Sequence, residues 1–297
     1  MSWAAHQFET YAVMAHLPKK MRGKVSYWGV YLGDFFPDFL AKFWVYGITI
    51  NGKRYGAAIP HQWHRGWPGM GFTHTLGFGL VLGLILWFWK RNRALTVGFI
   101  LGYGAHALTD VNDSVGTMAL FPFSTMNWTV QTWAYAATVK GGKYLDAAAY
   151  YSSLGLVMDL LWLVVVVFSW RVLTREYWRT HIVPPDAHLW AKLGRWLPER
   201  GLLALYRATF FFGLCRLIGW NLYAHVLATP TINGVTRRGY PFDLSWTGPW
   251  WIDARSLPHV NPWIVMPVVL LILVTLYFTL GRMWEWLGRH ERPLPIS

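Results

Sequence analysis

Of 297 residues, 54% are hydrophobic, 18% aromatic (21 Trp among them) and only 14% charged, against about 25% in ordinary soluble domains; the composition excludes that class and predicts a membrane protein. The formal net charge of +13 does not point to nucleic acid, because Lys and Arg are dispersed among apolar runs and form no basic stripe; membrane lipids are the partner it predicts. The single cysteine, Cys215, excludes an intrachain disulfide and suits a small buried hydrophobe.

Met1 to His16 carries Glu9 and several polar residues and lacks an unbroken apolar core, which predicts a short amphipathic helix and not a cleavable signal. A basic connector, Pro18 to Lys24, follows. Val25 to Leu32 then leads into Gly33-Asp34-Phe-Phe-Pro37-Asp38. Asp34 suits the cap of a helix beginning near Pro37; Asp34 or Asp38 equally suits an oxygen ligand to a metal. Asn51-Gly52, between Ile48-Thr-Ile and Lys53-Arg-Tyr, predicts a hairpin. In Pro60-His61-Gln-Trp-His64-Arg65 the two histidines suit a metal or a phosphate, and equally a plain surface loop.

From Phe72 to Trp89 only His74 is ionisable, and the run of about 18 residues just suffices to cross a bilayer. Lys90-Arg-Asn-Arg93 is a tight basic turn, after which Ala94 to Leu108 crosses back. Two antiparallel helices joined by so short a turn have adjacent far ends, so His74 is predicted to meet His106 and Asp110. His106 and Asp110 are four apart and share one helix face, close enough to hold one cation. A divalent metal would compensate both in an apolar setting; bonds to neighbouring backbone are the plainer alternative.

Further spans are predicted over Tyr151 to Trp170, Leu202 to Leu227 and Pro262 to Leu280, making about five. Within them, Asp159 and Arg216 suit a salt bridge between helices, and His225 suits the cavity that His74 lines. The loops Val111 to Tyr150 and Thr229 to Asn261 add Asp113, Asp243, Asp253 and His259 without any ligand spacing. Placing the Lys90 to Arg93 turn in the cytoplasm puts the basic segments Arg171 to Arg200 and Gly281 to Ser297 there too. Lys19, Lys20, Arg22 and Lys24 then fall on the opposite side unless the N-terminal segment makes its own crossing.

These residues carry a resemblance. Gly33 to Asp38, then Thr73-His74, then Gly102-Tyr103-Gly-Ala-His106-Ala-Leu-Thr-Asp110 followed by Gly116 and Pro122-Phe123, resemble the pattern of membrane-bound metal-dependent hydrolases described as LexA-regulated or YdjM-like. Through that family they are similar to the zinc-dependent phospholipase C group. The resemblance covers about the first 125 residues and implies an all-α site in which Asp38, His74, His106 and Asp110 bind zinc or a similar ion. His16 or His6 resembles the N-terminal histidine ligand of the soluble enzymes; His16, His61 and Asp113 stand as further ligand candidates. The family often places His-Arg-Gly close before Thr-His, whereas here a longer insert separates His64-Arg65-Gly66 from Thr73. No histidine occurs between His106 and His181, so one or two ions are expected in place of three.

The combined expectation is a single membrane-embedded, all-α, multi-pass domain over 1–297, with the family-like metal region at 1–125 and added spans and aromatic loops over 126–297. It is expected in the inner membrane, with the metal site on the non-cytoplasmic face. Its expected activity is hydrolysis of a lipid or lipid-linked phosphate ester by a metal-activated water. Asp34 or Asp38 would orient or deprotonate that water, and His64 and Arg65 would neutralise the phosphate. Zn is the expected ion, with Mn or Mg as alternatives. A non-catalytic assembly subunit that keeps the metal, in a homo- or hetero-oligomer, and an ion or solute transporter are the competing readings.

Overall fold

The computed structural model describes residues 4–55, 66–112, 116–130, 145–232, 235–242 and 260–290. It is mostly helical. In order come α1 (Ala5–His16), α2 (Tyr27–Tyr46), the hairpin β1 (Ile48–Ile50) and β2 (Lys53–Tyr55), a helical turn Gly71–His74, α3 (Leu76–Lys90) and α4 (Arg93–Thr109). Then follow α5 (Leu145–Tyr151), α6 (Leu154–Phe168), a series of short turns leading to α7 (Ala187–Leu193), α8 (Glu199–Leu222), a two-residue-stranded hairpin and α9 (Pro262–Arg289). The predicted turn at Asn51-Gly52 is present: both residues have positive φ (49° and 77°), as the tight hairpin requires.

Among the described residues, three helices are long and apolar enough to cross a membrane: Arg93–Asn112, Glu199–Leu227 and Trp263–Arg289. Two more of the predicted spans appear as apolar helices of 15 residues, α3 and α6, each about 22 Å at 1.5 Å per residue and shorter than a hydrocarbon core. Leu84, Ile85 and Phe88 of α3, and Leu161, Val167 and Phe168 of α6, point outward, as lipid-facing side chains do.

The packing of α2, α3 and α4 rests on three pairs of glycines spaced four apart. Gly29 and Gly33 of α2 lie against Gly98 and Gly102 of α4, backbone to backbone. A Cβ on Gly33 would sit 2.1 Å from the Phe99 carbonyl oxygen, and one on Gly102 would sit 2.0 Å from that of Val30. Small residues at this spacing let helix backbones approach closely, which is how apolar helices associate where no hydrophobic drive separates them from lipid. On the other side, Gly79 and Gly83 of α3 receive Tyr103 and Ile100 of α4. The α3–α4 turn closes with Arg91 in the left-handed region (φ 50°) and the Asn92 side chain capping Leu95 N.

The N-terminal helix departs most from expectation. In place of an amphipathic surface helix, α1 is buried on almost every side, including Glu9 and Thr10 at 0% exposure. Its polar residues face other buried polar groups, so a surface face is not what they mark. Asp159, on α6, accepts hydrogen bonds from the backbone N–H of Ala4 (2.9 Å) and Ala5 (3.1 Å) and from the hydroxyls of Tyr150 and Tyr151 (both 2.8 Å). A carboxylate at a helix N-terminus satisfies donors that have no partner within the helix. Asp159 thus anchors α1, while Arg216 donates to Gln7 Oε1 at 3.5 Å and lies over Phe212. Asp159→Ala is expected to cost about 3 kcal/mol of stability, since it strands several interior donors at once; thermal unfolding in detergent checks this.

Helix α2 also corrects an expectation. It starts at Tyr27, capped by the Ser26 hydroxyl, and runs straight past Pro37, so Asp34 lies mid-helix and caps nothing. His225 has partners of its own: its Nδ1 lies 3.1 Å from Tyr240 O, its Nε2 lies 3.3 Å from Tyr151 O, and its ring stacks on Phe242.

The basic segments gather at one end. Lys20 pairs with Glu285, Gly23 lies against Thr180 and His181, Ser26 N bonds to Ala94 O, and Arg93 stacks on Trp284. Because α1 and α2 form their own antiparallel pair, Lys19 to Lys24 share the end that holds Lys90 to Arg93, Arg171 to Arg200 and Arg282 to Arg289. The conflict left by the sequence disappears. Asp186 sits in this layer, accepting from Ser26 Oγ and Trp28 N, and burial raises its carboxyl above the usual range.

Candidate metal centre

At the opposite end, four elements deliver ionisable side chains to one buried point. Helix α1 brings His6 and Glu9, one turn apart; α2 brings Asp34 and Asp38, four apart on one face; the turn before α3 brings His74; the last turns of α4 bring His106 and, at its C-terminal edge, Asp110. The crossing at Gly33 and Gly102 sets Asp34 beside α4: a Cβ on Gly102 would lie 2.9 Å from Asp34 N. Distances are short throughout. His106 Nε2 is 3.2 Å from Asp110 Oδ2 and its Nδ1 is 3.6 Å from Asp34 Oδ1. His74 Nε2 lies 3.5 Å from Asp38 and 3.9 Å from Asp110. His6 Nε2 lies 3.5 Å from Asp110, its Nδ1 3.2 Å from Glu9, and its ring stacks on His106 with centroids 4.0 Å apart.

Two overlapping sets have the spacing of metal ligands: Asp38, His74 and His106, and His6, Asp34 and His106. The donor chemistry fits a divalent cation. Four carboxylates and three imidazoles share the cluster; Glu9, Asp34 and Asp110 are fully buried and only Asp38, at 14% exposure, reaches the rim. Glu9 Oε1, Asp34 Oδ1, Asp38 Oδ1, His6 Nε2 and both His106 nitrogens are buried without completing a hydrogen bond among the described residues, a costly arrangement unless a further charge joins them. Lys42 pairs with Asp38 Oδ2 and neutralises only that outer carboxylate. Outside the three candidate spans the same excess of negative charge is felt: burial alone would lower the His6 imidazole, yet Glu9 and Asp110 hold it up at about 10. Burial and then Glu9 push the Asp34 carboxyl well up.

The predicted meeting of His74 with His106 and Asp110 is therefore present, and Asp34 and Asp38 join it. His16 does not. It lies at the other end of α1, with Nδ1 bonded to Ala12 O and Nε2 near Ser169 Oγ. His61, His64, Arg65, Asp113, Asp243, Asp253 and His259 lie outside the described residues. Glu9 was not singled out as a site residue from sequence, because Gln7, Thr10 and His16 on the same helix make it read as one of several polar positions.

No curated protein and no solved structure matches the chain. A family model described as YdjM inner membrane protein matches residues 1–182, beyond the 125 or so expected and as far as the turns that follow α6. The match takes in more than half of the chain, which also holds three helices able to span a bilayer among its described residues; the chain belongs to the YdjM inner membrane protein family.

Proposed function

We propose that this protein is a membrane-bound, metal-dependent hydrolase acting on the phosphate ester of a lipid or lipid-linked substrate. The observation that carries the reading is the convergence of His74, His106, Asp110 and Asp38 on one buried point. His74, His106 and Asp110 hold the ion, which we take to be zinc from the mix of imidazole and carboxylate. Asp38, at the rim, is a further ligand or the group that orients the attacking water. Bound there, the ion supplies Lewis acidity and brings the pKa of a water towards neutrality. Asp34, gripped by Thr10 Oγ1 at 2.9 Å, faces His106 Nδ1 and fixes that ring, in the way carboxylates behind metal-bound histidines do. His6, Asp34 and His106 form the place for a second ion. His64 and Arg65 are proposed to receive the phosphate.

A lipid substrate is supported by an apolar cavity of about 1010 Å³ between α3, α4, α6 and α9, lined by Leu76, Leu108, Met158, Trp162 and Leu273 among others and reaching Asn112 at the level of the cluster. The transport reading needs a polar route past Asp159, which is instead occupied as the anchor of α1. Elemental analysis of detergent-purified protein, followed by phosphate release from a panel of lipid phosphates with and without chelator, tests the proposal. Chelator-sensitive release supports it; tightly held zinc with no release from any member turns the assignment towards an assembly subunit.

We propose further that α3 and α6 complete five crossings with their flanking turns, and that the basic end is cytoplasmic, which puts the cluster on the outer face of the inner membrane. In a Cys215→Ser background, Phe123→Cys, exposed near the cluster, is expected to react with an impermeant maleimide in osmotically opened cells with intact inner membranes. Trp196→Cys, exposed at the basic end, is expected to react only after lysis. The reverse pattern would invert the topology.

A further inference from the structure

The residue before the His74 ligand carries a function that nothing above assigns. Thr73 is fully buried. Its hydroxyl lies 2.7 Å from the Met70 carbonyl oxygen and 3.0 Å from His74 Nδ1. A threonine hydroxyl has one proton to give, and a carbonyl oxygen can only accept. The proton is therefore directed at Met70, and towards His74 the same oxygen presents a lone pair. A neutral imidazole meeting that lone pair carries its hydrogen on Nδ1, which leaves Nε2 unprotonated on the side of Asp38 and Asp110, where a cation held between them would receive its lone pair.

We propose that Thr73 is a positioning residue that selects the Nδ1–H tautomer of His74 and so presents Nε2 as a ready metal ligand. The proposal rests on the metal site proposed above, but the tautomer can be read without any metal. The surrounding bonds fix the threonine as firmly as it fixes the histidine. Its backbone N–H also donates to Met70 O at 3.0 Å, and its own carbonyl accepts the hydroxyl of Tyr103, which itself fills the notch left by Gly79 on α3. A metal-bound histidine commonly gives its second N–H to a carboxylate or carbonyl; here a hydroxyl already committed to a carbonyl does that work. On the Nδ1 side the direction of the hydrogen bonds is one-way, so Thr73 favours Nδ1–H against the pull of Asp38 and Asp110, which can accept from Nε2–H.

The first test needs no substitution. In metal-stripped protein with ¹⁵N-labelled histidine, at a pH high enough to keep the ring neutral, the His74 ring, assigned by its absence from His74→Gln, is expected to show a protonated Nδ1 and an unprotonated Nε2; a hydrogen on Nε2 that persists at that pH overturns the proposal. The second compares Thr73→Val, which keeps the shape and removes the acceptor, with Thr73→Ser, which keeps the acceptor. Val is expected to mix the tautomers and weaken zinc retention by about 10- to 100-fold, while Ser restores both to within about threefold. Equal tautomer populations in all three proteins would overturn the role of Thr73. Failure of the unsubstituted protein to bind zinc, with the tautomer as stated, would instead strike the metal site and leave the selection by Thr73 standing.

Discussion

His106→Ala is expected to empty the site of metal and to lower phosphate release at least about a hundredfold, the upper end of what even an indirect partner of a metal costs when removed. His106 belongs to both possible ligand sets, and it lies against Asp34, Asp110 and the His6 ring together. The natural comparison is His16→Ala. That histidine resembled a ligand in sequence but lies at the far end of α1, bonded to Ala12 O, and its loss is expected to leave metal content and release unchanged. Inductively coupled plasma analysis beside the release assay checks both. Retention of a full complement of zinc in His106→Ala would end the proposed centre.

Gly102→Val is expected to be worse for the molecule as a whole. The new Cβ would lie 2.0 Å from the Val30 carbonyl oxygen and 2.9 Å from Asp34 N, against backbone that has nowhere to go. Helix α2 would have to part from α4, and Asp34 and Asp38 would leave with it. A destabilisation above about 4 kcal/mol falls in the exceptional range reserved for such clashes. Gly104, two residues on, provides the contrast: a Cβ there meets nothing within 4 Å, so Gly104→Ala is expected to be neutral or to stabilise by up to about 1 kcal/mol through helix propensity. Thermal unfolding in detergent, read alongside metal content, distinguishes the two.

The part of the centre made by neighbours in sequence was readable from the chain. His106 and Asp110 are one turn apart, and the short Lys90 to Arg93 turn forces His74 back to their level; both arguments need only helix geometry, and the structure agrees with both. What was not readable depends on distant partners. A helix with Glu9, Gln7 and His6 in its first turns looks amphipathic until Asp159, Arg216 and the cluster are known to receive those groups. Asp34 before Pro37 looks like a cap, because proline is common at helix starts; inside this bundle α2 tolerates it within the helix. The paired glycines at 29 and 33, and at 98 and 102, were a signal available in the sequence, and they would have predicted the crossing that gathers the carboxylates.

The grip of Asp159 on the start of α1 links positions 154 and 155 residues apart. Helix α1 brings His6 and Glu9, yet what secures its leading edge is inserted only with α6. Biogenesis must therefore hold α1 loosely until α6 is in place. A nascent chain arrested before residue 159 would possess His74 and His106 already side by side and still lack a secured third histidine, so full assembly of the cluster would report that α6 has been integrated.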